Sequence, residues 1–128
     1  TVLIEANTMV SMARSEIAPA VETYVKEIAK TAALKKSVSD DISCAYESNL
    51  LKKLSVLTDR ISFATDALES AIAQVAQCDN IVVESAVIRD VLINKMGELR
   101  VACDEAEVLT SKKYWPFPTY GDLLFGVR

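Results

Sequence analysis

The sequence predicts an all-α fold: an antiparallel bundle of three long helices, the first kinked at Pro19, with an extended C-terminal tail rich in aromatics and proline. Three observations predict it. The middle of the chain keeps one apolar face at alternating spacings of three and four over roughly five heptads, the pattern of a long helix lying along a partner. Only three glycines and three prolines occur in 128 residues, which leaves long stretches without helix breakers. Apolar residues make up 51% of the chain and charged residues 25%, enough to fill one core and too apolar for intrinsic disorder.

The first helix is expected over about residues 2–34. It places Met9 or Val10, Ala13, Ile17, Ala20, Tyr24, Ile28 and Thr31 on one face. Pro19 interrupts it. A proline inside a helix removes one backbone hydrogen bond and presses on the carbonyl four residues earlier, here that of Ser15. A kink is expected there. Lys35 and Lys36 close the helix where cations suit the negative end of its dipole.

The second helix is expected over about 40–77, with Ser39 or Asp40 as N-cap. Its inward seam reads Ser43, Tyr46, Leu50, Leu54, Leu57, Ile61, Ala64, Leu68, Ala71, Val75 and Cys78. The third is expected over about 81–109, with Ile81, Ser85, Ile88, Leu92, Lys95, Leu99, Ala102, Ala106 and Leu109 on one stripe. Extra valines at 82, 83, 87 and 91 widen its apolar face near the start, which predicts burial on two sides or self-association. Gly97 costs about 1 kcal/mol in a helix interior and is expected to mark a close helix crossing.

The bundle thus occupies 1–111 and the tail 112–128. Tyr114, Trp115, Phe117 and Tyr120 put four of the chain's eight aromatics into the start of that tail. Pro116 and Pro118 push the residues before them out of helical conformation. Leu124 and Phe125 continue the apolar character. Two readings stand side by side: a strap over the bundle, or an anchor in an intermolecular interface, where Trp and Tyr are enriched. The candidate interaction residues are Tyr114, Trp115, Phe117, Tyr120, Leu124 and Phe125.

Chemistry is scarce. The net charge is −4 and there is no histidine, which argues against a nucleic-acid partner and against Glu-x-x-His metal sites. Cys44, Cys78 and Cys103 are too widely placed on an antiparallel bundle to pair and read as reduced thiols. Acids such as Glu47, Asp66, Glu69, Glu98 and Glu105 fall off the apolar seams and read as solvated helix face. No phosphate-binding glycine loop or nucleophile elbow is present. No apolar run is long enough for a membrane span and no signal peptide opens the chain, so a cytoplasmic location is expected. No catalytic, cofactor-binding or metal residue is assigned. The chain starts without methionine inside an apolar periodic run, which is expected of a piece of something longer.

The tail carries a family resemblance. Lys113-Tyr114-Trp115-Pro116-Phe117-Pro118-Thr119-Tyr120-Gly121-Asp122-Leu123-Leu124-Phe125 resembles the closing motif of type III glutamine synthetases. Met96-Gly97-Glu98-Leu99-Arg100 with Asp104-Glu105-Ala106-Glu107 is similar to that family's last long helix. Thr8-Met9 and Ala18-Pro19-Ala20-Val21 with Tyr24-Val25-Lys26 look like the helix after its catalytic region. Ser11 and Ala18 depart from the pattern, and the middle helix matches in periodicity only.

The resemblance implies a parent enzyme that joins ammonia to glutamate at the expense of ATP, with Mg2+ or Mn2+ in an upstream catalytic domain. It also implies a homo-oligomer. Its catalytic motifs match nothing here, so the segment by itself is expected to be inactive and to serve structure, assembly or regulation. The alternative is a stand-alone coiled-coil-like interaction module without enzymatic role.

Overall fold

The computed structural model describes residues 2–76 and 81–117, and within the last helix the side chains from residue 89 onward. Every regular element in this range is helical. The first helical run comprises α1 (Val2–Met12), a π-helical turn (Ala13–Ile17) and α2 (Ala18–Val38). Then come α3 (Ala45–Ala76) and α4 (Ile81–Leu109).

The π turn sits where Pro19 disturbs the ladder. Proline has no N–H to give Ser15, and its ring crowds that carbonyl. The turn before it widens, and the Ala18 N–H reaches back five residues to the carbonyl of Ala13. What the structure shows beside the proline is this π turn, just before it in the chain.

The first run continues to Val38, one turn past the expected end, so Lys35 and Lys36 lie inside its last turn. Ser39 is extended and caps this helix through its N–H to the Lys35 carbonyl. It is thus not the N-cap of the next helix. Its side chain instead accepts the Asp41 N–H, and its carbonyl accepts the Ile42 N–H, in a tight polar turn. Local side-chain bonding of this kind competes with helix. α3 accordingly starts at Ala45, with the Ser43 hydroxyl accepting the Ala45 N–H at 3.2 Å.

The core joins Ala6, Val10, Ala13, Ile17 and Val21 of the first run to Leu50, Leu54, Leu57, Ile61, Leu68 and Ala71 of α3. Leu92, Leu99, Ala102 and Ala106 of α4 complete it. α3 is central: it packs against α4 most extensively and against α2, the π turn and α1 as well. Ion pairs fasten the first run to α3 in opposite chain order, Lys35 to Glu47 near the connection and Arg14 to Asp66 and Glu69 far from it.

Several expectations on the inward faces need correction: Thr31 and Ser43, both read as facing the core, are exposed, and Ser43 precedes α3. Tyr46 is 69% exposed and Glu47 only 4% exposed, the reverse of the predicted facing. Both positions satisfy helical spacing from Leu50, at four and three residues, so periodicity alone does not decide between them. Lys35 decides it by offering Glu47 a partner. Gly97 marks no close crossing either: a methyl group built on it would meet nothing within 4 Å. Val82, Val83 and Val87, whose facing bears on the expected self-association, lie among side chains outside the described residues. Cys78 lies outside them too, whereas Cys44 and Cys103 are free thiols.

Candidate interaction surface

α4 ends at Leu109, and the Thr110 N–H still reaches the Ala106 carbonyl at 2.9 Å. The chain then turns at once: the Tyr114 N–H donates to the Ser111 carbonyl and the Trp115 N–H to that of Lys112. This turn sends the aromatics back along the bundle. Tyr114 stacks at a tilt on Tyr24 of α2, with ring centroids 5.4 Å apart. The Lys113 ammonium sits 5.5 Å from the Tyr114 ring centre, within cation–π range.

Beyond it, Trp115 and Phe117 pack partly buried against the core. They line a cleft of about 340 Å³ with Met9, Met12 and Ile17 from the first run and Leu99 and Cys103 from α4. Burial, seconded by the neighbouring Asp104, pushes the Cys103 thiol up to about 11. Burial also raises the Tyr24 phenol. Of the six expected interaction residues, Tyr114, Trp115 and Phe117 therefore lie together on the bundle of their own chain. Tyr120, Leu124 and Phe125 fall outside the described residues.

Two polar features escaped the sequence reading. Glu47 holds one carboxylate oxygen 2.7 Å from the Lys35 ammonium, while its other oxygen, Oε1, is buried without a hydrogen-bond partner. The lysine's hydrogen bond keeps the Glu47 carboxyl below its ordinary range, against the opposing effect of burial. The same bond raises Lys35. Arg14, carried on the π turn, forks between Glu69 and Asp66, with Nη2 at 2.8 Å from each. These three groups are largely exposed, so the fork orients the helices more than it stabilises them. The only sequence sign of either feature is a cation and acids placed to meet once the helix phase is known.

Among the described residues no three His, Cys, Asp or Glu side chains gather where they could hold a metal ion. No described helix is long and apolar enough to cross a membrane.

Comparison with known proteins gives the surroundings of this surface. A glutamine synthetase of Butyrivibrio fibrisolvens is 31% identical over 98% of this chain. Its relatives are glutamine synthetases. A type-3 glutamine synthetase of Dictyostelium discoideum is 22% identical, again over 98% of the chain. The chain spans only 18% of the length of either glutamine synthetase, so it corresponds to a segment of them. The resemblance carried by the tail and helix motifs thus extends across nearly the whole sequence. No family model matches the chain. No solved structure matches it.

Proposed function

We propose that this chain is the C-terminal, non-catalytic helical segment of a type III glutamine synthetase, serving to brace the catalytic part and to assemble subunits. One observation carries the reading: glutamine synthetases align with 98% of this chain while it spans only 18% of their length. The packing supports it. Among the described residues the buried side chains are aliphatic apart from Glu47 and two threonines, Thr65 and Thr110. A core of this kind positions helices against one another. In this reading the three helical runs form an antiparallel bundle bent near Pro19, and the tail aromatics close its seam.

The parent reaction is the ATP-dependent ligation of ammonia to glutamate in the cytoplasm. Its Mg2+ or Mn2+ needs clustered acids, which the described residues of this chain do not provide. Residues of the parent outside this chain would hold both metal and nucleotide.

The test begins with the coding sequence upstream of Thr1, which is expected to encode the catalytic part of a glutamine synthetase. In that full-length protein, Trp115→Ala is expected to lower the melting temperature, because the ring packs partly buried against the helices of its own chain. Finding an unrelated upstream sequence, or a stop codon directly before this segment, would overturn the proposal.

A further inference from the structure

The tail meets the first helical run in reverse order. Tyr114 lies on Tyr24 of α2, and Trp115 and Phe117 then share a cleft with Ile17, Met12 and Met9. On the other wall it passes from the end of α4 at Leu109 back to Cys103 and Leu99. Each step along the tail therefore leads towards the start of α1 and the start of α4.

In that direction the trough continues as a second cleft of about 310 Å³ between the same two helices. Val2 and Glu5 of α1 form one wall, and Arg89, Ile93, Met96 and Arg100 of α4 the other. Arg100 borders both clefts and joins them. The second cleft is apolar, with Val2 and Met96 packed partly on the core and Ile93 45% exposed. Its charge is unbalanced, two arginines against Glu5, and among the described residues neither arginine is ion-paired.

Residues 118–128, outside the described range, have the matching chemistry. Tyr120, Leu123, Leu124 and Phe125 are apolar, and Asp122 is their only acid. The five residues from Phe117 to Asp122 span up to about 17 Å when extended. The ten residues from Leu99 to Arg89 cover about 15 Å of helix. Asp122 is therefore within reach of Arg89 while Phe117 keeps its place.

We propose that the second α1–α4 cleft is the docking site for residues 118–125 of the same chain. Tyr120 lies over Met96, Leu124 and Phe125 over Ile93 and Val2, and the Asp122 carboxylate beside the Arg89 guanidinium. This docking extends the seam closure proposed above, on which it rests.

Limited chymotryptic digestion of the 128-residue chain, followed by mass spectrometry, reads the docking through cleavage after Tyr120, Leu124 and Phe125. A synthetic peptide of residues 114–128 gives the rate for an undocked segment. Within the chain these cuts should be at least about tenfold slower, since cleavage waits for the segment to open. Ile93→Glu should bring them to the peptide's rate with helicity unchanged by circular dichroism, because Ile93 is half-exposed. Arg89→Glu should speed them severalfold, and adding Asp122→Arg should restore the slow rate. Protection should be equal at about 5 and about 200 μM, as for a contact within one chain.

A wild-type tail cut as fast as the peptide overturns the proposal. So does slow cleavage indifferent to Ile93→Glu, which puts the segment on another surface. Protection that grows with concentration overturns it too, because the cleft then holds another copy's tail. The parent's identity is read from the upstream coding sequence and not from protease access, so the two readings fail separately.

Discussion

At the scale of single residues, the Lys35–Glu47 pair is the feature with the sharpest consequence. Glu47 is nearly fully buried, and its carboxyl is held below the ordinary 4.5 by the lysine bond. Around that value the unfolded chain binds more protons than the folded one. The pair's contribution is therefore complete above about pH 4.5 and disappears as pH falls through the lower folded value. Lys35 is raised above its ordinary 10.5, so its share is complete below that pH and is lost as pH rises through the higher folded value. Thermal melts should show Lys35→Ala lowering Tm at neutral pH more than Arg14→Ala, because it strands a buried carboxylate. Glu47→Gln should remove part of the loss of stability in acid. Equal effects of the two cation deletions would contradict this account. Cys103 gives a second check. With its thiol pushed up to about 11, it should alkylate slowly at pH 8 and speed up steeply towards pH 11, as followed by mass spectrometry. Rapid labelling at pH 8 would show the thiolate to be far more accessible than its packing implies.

Among the elements, α3 was the most legible in advance. Its seam positions Leu50, Leu54, Leu57, Ile61 and Leu68 are all buried, because an aliphatic residue at a seam position has one good place to go. Its start was not legible. Ser39, Asp40 and Asp41 are all good caps in isolation, and the choice fell to a turn that satisfies its own backbone through the Ser39 side chain. The π turn was half legible: the proline announces a lost hydrogen bond, while the place where the ladder relaxes depends on the packing of Ala13 and Ile17. At Gly97 the expected crossing is replaced by open space, which itself yields a prediction. Gly97→Ala should stabilise the chain by about 0.5–1 kcal/mol, since alanine favours helix and meets no neighbour there. Chemical denaturation measures it, and a destabilised variant would mean that the surface around residue 97 is occupied.

At the scale of the whole molecule, labour is divided among the described residues. The helices bury a mainly aliphatic interior, and Trp115 and Phe117 pack partly buried against it. The exposed charged groups Arg14, Asp66, Glu69, Arg60 and Glu105 pair at the margins. The aromatic cluster was legible in the sequence, whereas the cleft that Trp115 and Phe117 line with Met9, Ile17 and Cys103 emerged only with the fold. The most direct measurement of the central claim is glutamine formation by the purified 128-residue chain, supplied with glutamate, ammonium, ATP and Mg2+. The account predicts no product above the enzyme-free background. Turnover abolished by a substitution within this chain would contradict it.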